Sequence, residues 1–479
     1  MKRLSFFHRS PRFLLLVLFS LSPLLFLSPV VVNAQWEPDV RLTNDNSASR
    51  ATLNNGHIIA AAPGGLLHLV WRDKRDGDNG EIYYKRSTDQ GITWSADLRL
   101  TQDSAWSSFP SISSSDSTVQ VVWNDDRDGN NEVYYIGSTD AGAHWTPEIR
   151  LTDDTSSSVG PSISCVASYV HLVWSDQRDG TWKVYYKRST DSGLTWSQDI
   201  RLSDTTGWAS SPSVSASGDY VHVVWNDGRD GNDEIYTKRS TDRGITWSPD
   251  TRLTQDPAMS LWPSIWASGT DVHTAWVDER YGNREIFYKH STDEGIPWSP
   301  DTSLTYGVNY SDKPSITSTD MNVHIVWNTD SDIFYKRSTD RGATWSPDLL
   351  LPDIAGVSDF PFIALSGAMV HVVWVDMRDG PQQNTEIYYK RNPTGNGVEN
   401  LNGSGKKIAY NRIIPTPNPF ISFATIPGHS SDRFVLYDIS GRKVGTYRGD
   451  RIGEGLTAGV YFLRKEGREG GPVRVVKVR

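Results

Sequence analysis

PSVSASGDYVHVVWNDGRDGNDEIYTKRSTDRGITWSPDTRL, at residues 212–253, contains four short runs of apolar or alternating residues. The runs fall at 212–215, 220–225, 234–236 and 247–253, and Gly, Asp, Asn and Ser separate them. Alternation of this kind between turn residues is typical of β-strands. The stretch therefore predicts a four-stranded antiparallel meander.

The same unit recurs along most of the chain. Its central tryptophan repeats every 51 or 52 residues, and after 47 at the last step, at Trp71, Trp123, Trp174, Trp225, Trp276, Trp327 and Trp374. Four strands per unit at a regular period are typical of the blades of a β-propeller. We therefore predict an all-β chain with a seven-bladed propeller over residues 35–392.

The last unit, at 361–391, has three strands and lacks a fourth. Residues 35–43 match residues 246–254 position by position, with Trp36 in the place of Trp247. We therefore expect the N-terminal strand, around 39–43, to pair with the strand around 386–390. This closure would leave no open sheet edge in the ring.

Six units carry Ser-Thr-Asp-x-Gly-x-x-Trp between their third and fourth strands. The carboxylate can accept backbone N–H groups across the turn, the glycine supplies a positive φ, and the tryptophan enters the hydrophobic layer. This element resembles the Asp-box (BNR repeat) of the sialidase superfamily, over about residues 36–392. The resemblance implies a structural role for its aspartates, which are Asp89, Asp140, Asp191, Asp242, Asp293 and Asp340.

The superfamily resemblance predicts a fold better than a function, because Asp-boxes occur in enzymes, lectin-like modules and receptors alike. Sialidases typically have six blades. A count of seven is therefore a departure that weakens the transfer of their chemistry to this chain.

Residues 1–34 predict a secretory signal peptide, with a basic start, an apolar run at 13–32 and a small-residue site at 32–34. The run is also long enough to stay as a membrane anchor, but we favour cleavage. Its removal takes four basic residues from a chain of net charge −9 and leaves −13. Such an acidic chain argues against a nucleic-acid partner. Cys165, the single cysteine, excludes an intramolecular disulfide and predicts a buried residue.

Residues 393–412, rich in Gly, Asn and Lys, predict a linker. Residues 413–479 alternate strands with turns and include Gly459-Val-Tyr-Phe462 and a basic last strand. This segment resembles the type A sorting domain of the type IX (Por) secretion system, a small Ig-like β-sandwich. The resemblance implies a contact with secretion machinery and a secreted or cell-surface protein, while a generic accessory β-sandwich is the alternative.

Loops joining the second and third strands should share a rim with the loops that lead into the next unit, opposite the Asp-boxes. Six of the first kind repeat an Asp-x-Arg pair that we interpret as a structural bridge beside an Asp-Gly turn. The pattern is similar to a Ca²⁺ loop, but the arginine argues against a cation there. The pairs are Asp73 and Arg75, Asp125 and Arg127, Asp176 and Arg178, Asp227 and Arg229, Asp278 and Arg280, and Asp376 and Arg378.

A histidine also repeats in the second strand, and Gln120 replaces it in one unit. A ring of metal ligands is one interpretation, but we favour core histidines packed between blades. They are His68, His171, His222, His273, His324 and His371.

A functional site should break the sevenfold repeat. Large aromatic residues do so in the loops that lead into the first strand of each unit, and such rings suit stacking on sugars. Packing between blades is an equally good interpretation. The candidate ligand-binding residues are Trp106, Phe109, Trp208, Trp262, Tyr310 and Phe360.

A sialidase would need three converging arginines and a tyrosine nucleophile paired with glutamate. Nearly every arginine here occupies a repeat position, and no glutamate partner is evident for the five tyrosines outside the repeated third strand, Tyr169, Tyr220, Tyr281, Tyr306 and Tyr310. We therefore assign no catalytic residue, metal or cofactor. We expect a monomer that binds an extracellular glycan or protein, with a sialidase-like exo-glycosidase as the alternative.

Overall fold

The structure is a computed structural model that describes residues 36–45, 47–52, 56–77, 79–204, 206–307, 309–354, 356–379, 384–395, 424–425, 433–438, 441–448, 451–465 and 473–477. All of them belong to one compact unit, Ala34–Arg479. The predicted signal peptide and the predicted linker beyond residue 395 lie outside the described residues. Within the described ranges, no helix is long and apolar enough to cross a membrane.

Strands make up most of the described residues, with one 3-10 turn at Pro63–Gly65. Blades 1 to 3 contain β2 (Ile59–Ala62), β3 (Leu66–Asp73), β4 (Glu81–Ser87) and β5 (Leu98–Arg99); β6 (Ser107–Ser115), β7 (Thr118–Asp125), β8 (Glu132–Ser138) and β9 (Ile149–Arg150); and β10 (Ser158–Val166), β11 (Tyr169–Asp176), β12 (Lys183–Ser189) and β13 (Ile200–Arg201).

Blades 4 to 6 contain β14 (Ala209–Ser217), β15 (Tyr220–Asp227), β16 (Glu234–Ser240) and β17 (Thr251–Arg252); β18 (Ser260–Ser268), β19 (Asp271–Asp278), β20 (Glu285–Ser291) and β21 (Thr302–Ser303); and β22 (Ser311–Thr319), β23 (Asn322–Thr329), β24 (Asp332–Ser338) and β25 (Leu349–Leu350). Blade 7 contains β26 (Ser358–Ser366), β27 (Met369–Asp376), β28 (Glu386–Asn392) and β1 (Val40–Arg41).

Each blade is a four-stranded antiparallel sheet whose strands follow one another in chain order, apart from β1. The first strand of each blade lies innermost, and β2 packs against both β6 of blade 2 and β26 of blade 7. The seven blades therefore form a closed ring. The predicted all-β fold and its seven-bladed arrangement are confirmed.

The ring closes through β1, which pairs with β28 as predicted. Val40 lies opposite Tyr389, and Arg41 lies opposite Tyr388. The ring of Trp36 contacts the ring of Tyr335 edge-on, with 5.0 Å between centroids. Trp36 therefore takes in blade 7 the place that an Asp-box tryptophan takes in the other blades.

The repeated core tryptophans are buried, and each indole N–H is satisfied within its own blade. In blade 2, Trp123 Nε1 donates to Asp125 at 3.0 Å. Blade 6 lacks this aspartate, and Trp327 Nε1 donates to the hydroxyl of Thr329 at 3.0 Å instead. The aspartate of the Asp-x-Arg pair is thus the acceptor that allows an indole to be buried at this position.

A second repeated contact joins neighbouring blades. The hydroxyl of Tyr84 in blade 1 lies so close to Gly142 of the next Asp-box that a Cβ there would come within 1.9 Å of it. The ring of Tyr84 also meets Trp145 edge-on at 4.8 Å. Because Gly142 has a φ of 76° as well, only glycine fits both the turn and the contact.

The repeated histidines are buried in the same layer. His171 Nδ1 lies 2.8 Å from the hydroxyl of Tyr186. Burial lowers the pKa of His171 to about 3. In blade 2, Gln120 accepts a hydrogen bond from Tyr135 in the same way. The side chains therefore serve as neutral hydrogen-bond partners inside the core.

The C-terminal segment forms a four-stranded sheet and a two-stranded sheet. Phe434, Leu436, Tyr461 and Leu463 form their core, and Ile452 joins it from the smaller sheet. The strands are β29 (Ala424–Thr425), β30 (Arg433–Asp438), β31 (Lys443–Arg448), β32 (Arg451–Ile452), β33 (Gly459–Lys465) and β34 (Val473–Lys477).

We predict that Trp36→Ala lowers the free energy of unfolding by about 3 kcal/mol, because it removes a packed indole from the closing strand. Unfolding in urea measures this. Ile92→Ala is the control, since Ile92 is 64% exposed in an Asp-box turn and its loss should cost less than about 0.5 kcal/mol. Equal effects of the two substitutions would contradict a role of Trp36 in closing the ring.

The histidines predict a loss of stability in acid. Burial lowers the pKa of His57 and His68 to about 4 and of the five others to about 3. Between about pH 6.5 and 4 the unfolded chain therefore binds protons that the native chain does not, so stability falls as the pH falls.

His171→Gln, which copies blade 2, should reduce this slope by up to about 1.4 kcal/mol per pH unit. Gln120→His should increase it by the same amount. Urea unfolding between pH 4 and 7 measures all three slopes. Identical slopes would show that these side chains bind protons alike in the folded and unfolded chains.

Candidate functional site

The two rims of the ring differ in character. Because strands alternate in direction, the Asp-boxes lie on one rim, here called the Asp-box rim. The loops between second and third strands lie on the other rim, here called the site rim, together with the entry into each innermost strand.

The Asp-x-Arg pairs of the site rim form closed ionic clusters. In blade 2, Arg127 Nε donates to Asp125 at 2.8 Å and Nη1 donates to Glu148 at 2.6 Å. The guanidinium also lies 4.3 Å from the ring centre of Tyr134. These aspartates are buried and their oxygens accept hydrogen bonds from protein donors. The arrangement holds each loop in place and leaves no open position on the carboxylate.

Each innermost strand from blade 2 to blade 7 begins with a β-bulge, and the bulged residue precedes a proline. The bulged residue has a positive φ, which non-glycine residues seldom adopt. These residues are Phe109, Gly160, Ser211, Trp262, Lys313 and Phe360, with φ between 52° and 64°. The bulge thus places one variable residue at the entry to the innermost strand of each of these blades.

Three of these side chains line a cavity of about 240 Å³ at the mouth of the ring, which we call the axial pocket. Trp262, Lys313 and Phe360 come from blades 5, 6 and 7, and His57 comes from blade 1. The other lining residues are Thr52, Ser264, Pro314, Ser315, Pro361 and Phe362.

His57 lies below the opening of the axial pocket. It occupies the position that a proline has in the other six blades. Its ring meets Trp266 of blade 5 edge-on, with 5.8 Å between centroids. This contact joins the entry to β2 in blade 1 with β18 in blade 5, two blades that are not neighbours in the ring. Burial lowers the pKa of His57 to about 4, and its Nε2 has no hydrogen-bond partner among the described residues.

A second cavity, of about 450 Å³, lies on the site rim at blades 5 and 6, and we call it the rim cleft. Glu279, Gly282, Asn283, Arg284 and Tyr310 line it. Arg284 also lies 4.9 Å from the ring centre of Trp262. Arg284 therefore connects the rim cleft with the axial pocket.

Two ion pairs cross the blade boundaries at this site. Arg284 Nη1 of blade 5 lies 3.2 Å from Asp312 of blade 6. Lys313 Nζ of blade 6 lies 2.7 and 2.8 Å from the two oxygens of Asp359 of blade 7. Burial raises the pKa of Asp312, although Lys313 and Arg284 oppose that shift. Both aspartates also accept the backbone N–H of the bulged residue that follows them.

The predicted aromatic residues divide into two groups. Trp262, Tyr310 and Phe360 line the axial pocket or the rim cleft, and Tyr310 is 59% exposed. Phe109 and Trp208 line neither cavity, and Trp208 lies over Gly228, where a Cβ would come within 2.4 Å of its Nε1. Trp106 also lies outside both.

Trp106 lies instead in a basic cluster on blades 1 and 2. Arg72 and Lys74 lie 4.8 and 4.6 Å from its ring centre. Gly80 makes room for Arg72, whose Cδ would be 2.6 Å from a Cβ at that position. Burial and the nearby Arg50 lower the pKa of Arg72 to about 10.

One expectation about the tyrosines is wrong. Tyr220 does have a glutamate partner: it forms a hydrogen bond with Glu294, and this bond raises the pKa of Tyr220. The pair joins blade 4 to the Asp-box of blade 5, so it lies on the Asp-box rim, away from both cavities. Tyr306, in contrast, is buried, and the side chain with which it forms a hydrogen bond is Ser303.

Sequence reasoning missed His57, Arg284, Asp312 and Asp359. Two of them carried a signal, since His57 replaces a repeated proline and Arg284 stands where blades 2 and 4 have Asn131 and Asp233. Their proximity to the aromatic residues depends on contacts between blades, which the repeat pattern does not encode.

A family model described as BNR/Asp-box repeat matches residues 85–96. No curated protein matches the chain in sequence.

The fold is similar to solved propeller structures. The Hadza microbial sialidase Hz136 is 17% identical, with a TM-score of 0.42; the match covers 59% of this chain and 63% of that one, less than two thirds of its length. A polysaccharide lyase described as PL25-Ulvanlyase is 11% identical, with a TM-score of 0.50 and coverage of 71% and 94%. The GH93 α-L-arabinofuranosidase of Fusarium graminearum is 13% identical, with a TM-score of 0.45 and coverage of 75% and 98%. At these identities the likeness concerns the fold.

Proposed function

We propose that this chain is an exported, non-catalytic propeller that binds a glycan on its site rim, in the axial pocket and the rim cleft. The single observation that carries the proposal is the convergence of Trp262, Phe360 and Tyr310 at blades 5 to 7. These are the blades in which carboxylates and cations also break the repeat.

The chemistry of the two cavities suits sugars. Aromatic faces stack on the C–H faces of pyranose rings. Carboxylates accept hydrogen bonds from sugar hydroxyl groups, and amides both accept and donate them. Glu279 and Asn283 supply such groups beside Tyr310. An exposed tyrosine next to a concave surface is also typical of a binding residue.

The absence of an arginine triplet at the site supports binding over catalysis. Among the described lining residues of both cavities, Arg284 is the one arginine, and it is paired with Glu279 and Asp312. The Tyr220–Glu294 pair lies on the other rim, and Arg239 lies 3.7 Å from Glu294 there.

An exo-glycosidase is the alternative, because the rim cleft brings Tyr310, Glu279 and Arg284 together. Glu279 accepts a hydrogen bond from Arg284 at 3.1 Å. Release of sugar from reporter glycosides, lost in both Tyr310→Phe and Glu279→Gln, would establish this alternative in place of a binding protein.

We predict that Tyr310→Ala and Trp262→Ala each weaken retention on a glycan array by more than about tenfold, as expected of central aromatic contacts. Tyr310→Ala should leave the melting temperature unchanged because its ring is largely exposed. Trp208→Ala is the matched control outside both cavities and should bind as the wild type does. Asp227→Ala should instead lower the melting temperature and keep binding, since it leaves the indole N–H of Trp225 and the Nε and Nη2 groups of Arg229 without their acceptor.

Unchanged binding by Tyr310→Ala and Trp262→Ala would place the site elsewhere. If no glycan is retained by the wild-type protein, the proposal of a glycan-binding function fails.

We further propose that residues 1–34 direct export and that residues 413–479 act as a sorting domain, which would make the mature protein secreted or attached to the cell surface. The basic last strand and the Gly459-Val-Tyr-Phe462 segment support this proposal.

Deletion of residues 413–479 tests the sorting proposal in a bacterium that has a type IX secretion system. The full chain should reach the surface or the medium, while the shortened chain should stay in the periplasm as a folded propeller. Fractionation followed by limited proteolysis measures both properties. A shortened chain that still reaches the surface or the medium would refute the sorting role.

A further inference from the structure

The two cations that line the proposed glycan site, Lys313 and Arg284, are each paired with carboxylates of the protein. Lys313 Nζ lies within 2.8 Å of both oxygens of Asp359. Arg284 is held by Glu279 at 3.1 Å and by Asp312 at 3.2 Å. Three carboxylates thus hold two cations, and the described lining of both cavities has no unpaired positive charge.

The same cations also cover aromatic faces. Lys313 Nζ lies 3.6 Å from the ring centre of Phe360, and the guanidinium of Arg284 lies 4.9 Å from that of Trp262. A cation that contacts both a carboxylate and an aromatic ring is stabilised in that position, and turning it towards a ligand would lose both contacts. Lys313 and Arg284 therefore shape the walls of the site and fix its charge.

The remaining titratable residue of the axial pocket is His57. Its pKa of about 4, lowered by burial, makes it uncharged near neutral pH. Arg72 and Lys74, which lie over Trp106 on blades 1 and 2, line neither cavity. The described lining of the axial pocket therefore offers hydrogen bonds and apolar contact, and its one charged side chain, Lys313, is paired with Asp359.

The size of the axial pocket limits what can enter. Its volume of about 240 Å³ lies below the range of about 300–1,000 Å³ found for drug-sized ligands. The pocket thus suits one sugar ring at the end of a chain, and the next ring would lie towards Tyr310 in the rim cleft.

We propose that the axial pocket selects an uncharged terminal sugar and rejects sugars that carry a carboxylate or a sulfate. This inference rests on the glycan-binding function proposed above. An acidic sugar in the axial pocket would find Lys313 already paired with Asp359, and it would have to displace this carboxylate or bind beside it. Either event places like charges side by side in a partly dehydrated site, which opposes binding.

Matched pairs of methyl glycosides test the selectivity of the full-length protein. Methyl glucoside and methyl galactoside are each compared by calorimetric titration with the uronide that has a carboxylate in place of the 6-hydroxymethyl group. The neutral member of at least one pair should bind about tenfold or more tightly than its uronide. Uronides that bind as tightly as their neutral partners in both pairs, or more tightly in either pair, overturn the proposal.

Asp359→Asn provides the decisive variant. It keeps the oxygen that accepts the N–H of Phe360 but releases the ammonium of Lys313 from its counter-charge. The preference for the neutral glycoside should fall by about tenfold. Asp320→Asn changes the charge of the chain by the same amount at an exposed turn on the Asp-box rim and should leave the preference as it is.

An unchanged preference in Asp359→Asn, or an equal shift in Asp320→Asn, also overturns the proposed selectivity. Failure of the selectivity and failure of the glycan-binding function are distinguishable. If only acidic glycans are retained, and Tyr310→Ala abolishes that retention, the glycan-binding function stands and the selectivity is wrong. If no glycoside or array glycan binds, both are wrong.

Discussion

The contact between a tyrosine hydroxyl of one blade and the Asp-box glycine of the next sets the distance between blades throughout most of the ring. At five such boundaries a Cβ on the glycine would lie within 1.9 Å of the hydroxyl oxygen. The contact requires a glycine, because there is no room for a Cβ and the turn has a positive φ. The same tyrosine ring also packs against the Asp-box tryptophan. Blade 4 is the exception, because Thr237 replaces the tyrosine, and a Cβ on Gly295 would lie 3.4 Å from the ring of His222 instead.

Because this contact is repeated, the blades have the same backbone conformation, and equivalent residues occupy equivalent positions around the site rim. Function then depends on the side chains at those positions. The bulged residue before each proline is one of them, and the residue in the place of Arg284 is another. At blades 5 to 7 these positions hold Trp262, Lys313, Phe360 and Arg284, which lie close enough to form two adjoining cavities.

The fold could be predicted from the sequence because its signals are local and repeated. The match of residues 35–43 with residues 246–254, including Trp36 with Trp247, was sufficient to predict the closing strand and the strand it pairs with. The site was harder, since its contacts join residues of different blades. Lys313 and Asp359, like Tyr220 and Glu294, belong to different repeats, and neither pair follows from spacing. The aromatic residues were visible as exceptions to the repeat, but the sequence could not distinguish those near the axis from Trp106 and Trp208.

The electrostatics of the site follow from the same scaffold. The repeated Asp-x-Arg clusters satisfy their own charges within the rim, and each arginine is enclosed by carboxylates and an aromatic ring. At blades 5 to 7 the Arg284–Asp312 and Lys313–Asp359 ion pairs cross the blade boundaries. Asp312 and Asp359 each accept the N–H of a bulged residue as well as pairing with a cation. An acidic ligand that displaced either carboxylate would also leave the N–H of a bulged residue without its acceptor. The ion pairs that order the entrance of the ring are therefore also the contacts on which the proposed selectivity depends.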